Sequence, residues 1–222
     1  MPSERRPPPE AETLLLEPRK ARVEAVIRQR TRALTVVLDR LGDSFNMAAV
    51  LRTCDAFGIQ DLHVVDHPHV PFVPHEGVSQ GCDKWLDIAR YKTTEDCVAA
   101  LHAGGYRVLA SALGEDSTPL WDLRFDDKVA LVFGNERTGV APDFLAKADA
   151  KFWIPMAGFS ESFNVSVATA ISVSRAVALR RERLGSVEGD LSEPERAALR
   201  ERFFKLSVKQ RRKIYAGLPE GQ

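Results

Sequence analysis

Residues 128–139 read KVALVFGNERTG: the apolar run Lys128–Phe133 stops at Gly134 and opens into a polar turn that closes at Gly139. A short β-branched and bulky run bounded by turn formers is the pattern of a strand buried on both faces. Thr35–Leu38 (TVVL), Leu62–Val65 (LHVV), Arg107–Ala112 (RVLASA) and Lys151–Ile154 (KFWI) share it. Between these runs the period changes to that of helices. Asn46–Phe57 places Met47, Val50, Leu51 and Cys54 on one face; Glu95–Ala103 and Pro142–Ala148 are shorter, and Asn164–Arg183 is long. Strands alternating with helices predict an α/β fold, a parallel sheet with helices on both faces.

Outward from that core, residues 1–12 (MPSERRPPPEAE) combine Pro and charge without apolar periodicity and read as a disordered arm. Residues 13–33 read as a basic amphipathic helix, with Leu16, Val23, Val26 and Ile27 near helical spacing among arginines. Residues 34–184 form the α/β domain, within which Asp66–Lys84, rich in His, Pro and Gly, reads as a long loop and a lid. Residues 185–222 are a polar linker and a basic helix that begins near Ser192 or Glu193.

The 222 residues carry 31 basic and 31 acidic side chains, and 44% are apolar. The zero net charge is a sum of unlike regions: residues 1–32 carry +3, residues 33–174 carry −8 and residues 175–222 carry +5. Two basic ends around an acidic middle suit either a polyanionic partner or solvated helix faces. No apolar run approaches the roughly 20 residues of a membrane span, and the start of the chain has no apolar signal core. A cytoplasmic protein is the expectation. Cys54, Cys82 and Cys97 have no CxxC spacing, and His63, His67, His69 and His75 match no zinc pattern, so no metal is expected.

Three stretches fall at the carboxyl ends of predicted strands, where ligands of α/β sheets bind. They are Phe45–Thr53 (FNMAAVLRT), Leu131–Gly139 (LVFGNERTG) and Ile154–Ala170 (IPMAGFSESFNVSVATA). No G-x-G-x-x-G follows the first strand, and neither a phosphate-binding loop nor a G-x-S-x-G is present. Together, N-x-x-x-x-x-R-T (Asn46 to Thr53), L-x-F-G-x-E-x-x-G (Leu131 to Gly139) and I-P-M-x-G…S-x-N-V-S-V-A (Ile154 to Ala168) resemble the SpoU/TrmH-type ribose methyltransferases of the SPOUT class. The likeness covers roughly residues 20–185 and looks strongest to the tRNA branch.

The resemblance implies an α/β domain with a C-terminal deep trefoil knot, flanked by N- and C-terminal helices, that works as a homodimer. It implies methyl transfer from S-adenosylmethionine to a ribose 2′-hydroxyl of tRNA, at guanosine-18 of the D-loop. The alternatives are an rRNA ribose 2′-O-methyltransferase and a knotted RNA-binding module without catalysis. It carries catalytic roles onto Asn46, Arg52, Glu136, Ser162 and Asn164. The cofactor falls to Ser111, Leu113, Phe133, Gly134, Asn135, Glu136, Ile154, Met156 and Phe163. Arg19, Lys20, Arg28, Arg30, Arg32, Arg175 and Arg180, with the Lys209–Lys213 group, are the expected RNA contacts.

Each of these residues also has a plain structural reading. Asn46 caps the helix it begins, and Ser162 or Asn164 caps the one after it. Arg52 pairs with Asp55 one turn on, and Glu136 is a solvated turn residue. Arg52 as proton acceptor strains guanidinium chemistry; binding the phosphate beside the target ribose and stabilising alkoxide charge is the reading it suits. The small residues Ser166, Ala168, Thr169, Ala170, Ser172, Ser174, Ala176 and Ala178 allow close approach by backbone or by a second subunit. Where relatives carry Pro-His before the motif Asn, this chain has Asp43-Ser44-Phe45, and Phe163 replaces the usual Leu.

Overall fold

The computed structural model describes residues 14–216; the arm expected over residues 1–12 lies outside them, as do the side chains of Lys209–Lys213. In chain order the elements are α1 (Glu17–Arg28), β1 (Leu34–Asp39), α2 (Ser44–Phe57), β2 (Asp61–Val65), α3 (Glu76–Ser79), β3 (Asp87–Tyr91), α4 (Thr94–Ala103), β4 (Arg107–Ser111), β5 (Ser117–Pro119), β6 (Val129–Gly134), α5 (Pro142–Leu145), β7 (Ala150–Trp153), α6 (Val165–Leu184) and α7 (Glu193–Ala216). Two compact units divide the chain, one spanning Thr31–Asp190 and the other joining the residues before Thr31 to those from Leu191 onward. The boundaries of these units fall at 30/31 and 190/191.

In the Thr31–Asp190 unit the described residues form a seven-stranded sheet in the order β3-β2-β1-β6-β4-β7-β5, with every pairing parallel. Strand β1 shows why both faces are covered. Val36 and Leu38 enter a core with Met47, Val50, Leu51 and Cys54 of α2 and Val173, Ala176 and Val177 of α6. Val37, pointing the other way, joins Cys97, Val98 and Leu101 of α4 and Phe144 of α5. Of the small residues of α6, Thr169, Ser172 and Ala176 are buried within the chain, where α6 packs on α2 and β6, while Ser174 and Ala178 are exposed.

Two strands escape sequence reading. Strand β3 (DIARY) is a polar, partly exposed edge strand and β5 is three residues long, so neither has an apolar run. The expected long loop Asp66–Lys84 is interrupted by α3 and by a 3₁₀ turn at Cys82–Trp85. Helix α2 starts at Ser44, and its cap is Asp43 rather than Asn46: the Asp43 carboxylate accepts from the Asn46 backbone N–H at 2.9 Å. Asn164 caps α6, accepting from Ser166 N–H, so the cap is not Ser162.

The second unit pairs α1 with α7. Arg200 donates to the Glu24 carboxylate at 3.0 Å, Arg19 donates to Ser207 Oγ at 3.1 Å, and the Arg30 guanidinium lies 5.8 Å from the Phe203 ring centroid. Helix α1 ends at Arg28, five residues short of the expected end at residue 33. Leu16, expected on its apolar side, is the exposed N-cap residue, and Leu15 is buried instead. No helix among the described residues is long and apolar enough to cross a membrane.

Candidate active site

The loops after β1, β6, β4 and β7 meet at the carboxyl edge of the sheet, where parallel strands leave backbone groups for a ligand. Two backbone approaches fix the first pair of loops. A Cβ on Gly134 would stand 2.0 Å from the carbonyl carbon of Gly139, so only glycine lets the chain double back there, and Gly139 N–H donates to Asn135 O at 2.9 Å. Asp39, wholly buried at the end of β1, accepts from Ala141 N–H at 2.8 Å. Burial lifts its carboxyl above the usual carboxylate range.

The neighbouring residue Arg40 adopts φ 56° and turns its guanidinium onto Asp143 at 2.7 and 2.9 Å and onto Thr94 at 3.0 Å. That charged fork holds the Asp143 carboxyl well below its ordinary range. Asn135 Nδ2 donates to the Arg40 carbonyl at 2.9 Å. The loops after β1 and β6 are thus tied at three points.

On this frame sits a hydrogen-bonded trio. Glu136 accepts from the backbone N–H groups of Gly42 and Asp43, each at 3.2 Å, and from Asn46 Nδ2 at 3.0 Å. Asn164 Nδ2 donates to Asn46 Oδ1 at 3.0 Å, and Asn164 Oδ1 accepts from Ser166 N–H at 2.9 Å. A carboxylate only accepts and a backbone N–H only donates, so both amides have a single consistent orientation. Residues separated by about a hundred positions become one polar chain anchored by backbone at both ends.

The trio stands between two clefts. The first, about 460 Å³, is lined by all nine expected cofactor residues (Ser111, Leu113, Phe133, Gly134, Asn135, Glu136, Ile154, Met156 and Phe163), and by Ser162 and Asn164. Sequence reasoning gave no cofactor role to Trp153, Glu161, Val165 and Ala168 on its walls, although the last three lie inside the third motif. The second, about 730 Å³, is lined by Arg40, Asp43, Asn46, His67 and Thr138 among others. Asn135, Glu136, Arg137 and Asn164 face both.

Arg52 is not brought to this group. It lies six positions beyond Asn46 on α2, about 120° around the helix, exposed and lining neither cleft. Among the described residues it forms no hydrogen bond or ion pair, so the expected pairing with Asp55 is absent. No three His, Cys, Asp or Glu among the described residues gather as a metal would need. His67 Nδ1 accepts instead from the backbone N–H groups of His69 and Val70.

Three expected RNA contacts prove to be structural. Arg30 is 1% exposed, because its guanidinium is taken into the α1–α7 pair. Arg32 is drawn into the sheet edge, donating to Asp61 and Asp87. Arg180, 9% exposed, donates to the carbonyls of Phe125 and Asp127 at 2.9 Å, and burial lowers its pKa. Arg175 is partly committed, its guanidinium 3.4 Å from Trp121 O. Arg28 is exposed and Arg19 and Lys20 are half-buried.

A parallel α/β sheet with an Asn–Glu–Asn trio between two clefts at its carboxyl edge is the layout of a transferase that brings two ligands together. The chain belongs to the SpoU rRNA Methylase family, whose model matches residues 33–174. It is 34% identical over 195 residues to a tRNA (guanosine(18)-2'-O)-methyltransferase of Borreliella burgdorferi, with 88% of each chain covered. Among solved structures it is similar to the TrmH/SpoU tRNA modifying enzyme of A. aeolicus, with a TM-score of 0.79 and 31% identity over 86% of this chain and 98% of that one. The SpoU methyltransferase AviRb of Streptomyces viridochromogenes, solved in complex with the cofactor AdoMet, matches with a TM-score of 0.59 and 26% identity over 71% of this chain and 60% of that one.

Proposed function

We propose that this chain transfers a methyl group from S-adenosylmethionine to a ribose 2′-hydroxyl of tRNA, at guanosine 18 of the D-loop. The observation that carries the reading is the Glu136–Asn46–Asn164 trio standing between two clefts at the carboxyl edge of the sheet. The relatives' names support tRNA over rRNA as the substrate.

The first cleft fits S-adenosylmethionine in size and chemistry. Leu113, Phe133, Ile154, Met156 and Ala168 give it apolar walls for a purine, and Glu161 gives it a carboxylate for a cationic group. When bound there, the cofactor supplies an electrophilic methyl group. The chain's own residues do the rest. Glu136 fixes the Asn46 amide, and through it Asn164, in one orientation, so the polar wall is set before a substrate arrives. Arg52, exposed on α2 and outside both clefts, keeps the role that the resemblance implies, a guanidinium for the phosphate beside the target ribose.

Incubation with radiolabelled S-adenosylmethionine and total tRNA or rRNA tests the reading. Label in tRNA, mapped by resistance to alkaline hydrolysis at one D-loop position, is expected. Label confined to rRNA reassigns the substrate, and no labelled RNA leaves only an RNA-binding module. Arg52→Lys keeps the charge and is expected to retain tRNA affinity while losing most turnover; full activity removes the role.

The same reading includes a trefoil knot and a homodimer. The knot is supported by the sheet order, in which β6 lies between β1 and β4 while α6, after β7, returns to pack on α2. Pulled from its ends in an optical trap, a knotted chain stops short of its full contour length. The dimer is supported by the exposed apolar side chains of Leu113, Phe159, Phe163 and Val167. Sedimentation at micromolar concentration distinguishes one copy from two, and the tRNA-modifying role assigns the protein to the cytoplasm.

A further inference from the structure

The second cleft has an unusual balance of committed and uncommitted charge. Arg40 is spent on Asp143 and Thr94, and both oxygens of Glu136 accept N–H groups from within the site. Asp43 uses one oxygen, Oδ1, as the cap of α2, and its Oδ2 makes no hydrogen bond among the described residues. The Arg137 side chain likewise makes no hydrogen bond or ion pair among them. The cleft therefore presents one carboxylate face and one guanidinium fork to whatever enters it.

We infer that the second cleft takes the base of the acceptor nucleotide and reads it as guanine through Asp43 and Arg137. The inference rests on the methyltransferase reading above. Guanine has two adjacent donors, N1–H and N2–H₂, on one edge and two acceptors, O6 and N7, on the other. The donor edge suits the Asp43 carboxylate, whose oxygens each accept more than one bond, and the acceptor edge suits the Arg137 fork. Adenine puts an acceptor, N1, where the carboxylate needs a donor. A phosphate in this cleft suits Arg137 and is repelled by Asp43, so the lining favours a base over a backbone group. His67, with Nδ1 occupied by two backbone donors, carries its proton on Nε2 and adds one more donor on the same lining.

The test compares tRNA transcripts carrying guanosine, inosine or adenosine at the methylated position. Inosine lacks only the N2 amino group. The wild-type protein is expected to prefer guanosine over inosine by roughly tenfold in kcat/KM, with adenosine poorer still. Asp43→Asn keeps the cap, since Asn caps as well as Asp, but exchanges the carboxylate for an amide. Its guanosine-to-inosine ratio is expected to fall below about twofold, with S-adenosylmethionine affinity measured by calorimetry unchanged. Asp43→Ser, a second capping residue, repeats the test. On 7-deazaguanosine, which lacks the N7 acceptor, wild type loses activity, whereas Arg137→Gln is indifferent to the change.

A wild-type guanosine-to-inosine ratio in Asp43→Asn overturns the base assignment. So does an equal rise on all three transcripts, which marks relief of repulsion with a phosphate. A wild-type protein that methylates no tRNA overturns the methyltransferase reading itself, a result distinct from either.

Discussion

Glu136 shows how one side chain sets the chemistry of a site it does not fill. Its two oxygens receive two backbone N–H groups and one amide, three donors that arrive from the loop after β1 and the first turn of α2. Glu136→Gln puts an amide among those donors, and at least one is left without an acceptor. The expected result is a fall of roughly 10- to 100-fold in kcat/KM, with the α/β fold intact by far-ultraviolet circular dichroism. In sequence Glu136 stands out only as a polar residue between two glycines. Its partner Asn46 is legible as a motif residue, and its alternative reading as a cap fails because Asp43, three residues earlier, caps the helix. Arg52 illustrates the converse: spacing within a motif says which residues occur together, not which ones meet.

At the scale of elements, strand pattern was legible wherever a strand is buried on both faces and lost where it is not. All five apolar runs are strands, while β3 and β5 at the sheet's edges carry too little apolar character to announce themselves. The turn after β6 depends on a backbone approach that no motif spells out. Gly134→Ala forces a methyl group onto the Gly139–Val140 backbone and is expected to cost about 3 kcal/mol in urea unfolding, with loss of activity as the Glu136 loop is displaced. The β2–β3 edge holds a second dependence. His63 Nδ1 is 3.0 Å from the Tyr91 hydroxyl, and burial lowers its pKa to about 4. The unfolded chain takes up that proton near pH 6.5, so stability is full above that value and falls as the pH drops towards 4. The loss is about 2–3 kcal/mol; in urea titrations across this window, His63→Phe is expected to flatten the slope.

Over the whole molecule, charge was the least legible property. The basic excess at both ends was visible in composition, but which arginines are free to meet a polyanion is decided by packing. Arg30 and Arg180 are buried by the fold and Arg32 is half-buried and paired, because each finds an aromatic ring, a carboxylate pair or two carbonyls. Two substitutions separate the classes. Arg180→Ala is expected to cost about 2–3 kcal/mol of stability and to leave the salt dependence of tRNA binding unchanged. Lys20→Glu with Arg28→Glu, which also removes the Lys20–Glu17 ion pair, is expected to spare S-adenosylmethionine binding. The slope of log Kd against log salt becomes shallower by about one for each phosphate that the protein no longer neutralises.

The sheet order also carries a schedule. Strand β1 has β2 on one side, its near neighbour in sequence, and β6 on the other, paired from Leu34↔Val129 to Asp39↔Gly134. A ribosome synthesising this chain releases β1 early and must extend it by nearly a hundred residues before the other half of its pairing exists. Until then a mostly apolar strand, buried along its whole length in the finished fold, has one edge open. The centre of the sheet, and with it the loop that carries Glu136, is completed only when most of the chain has been made.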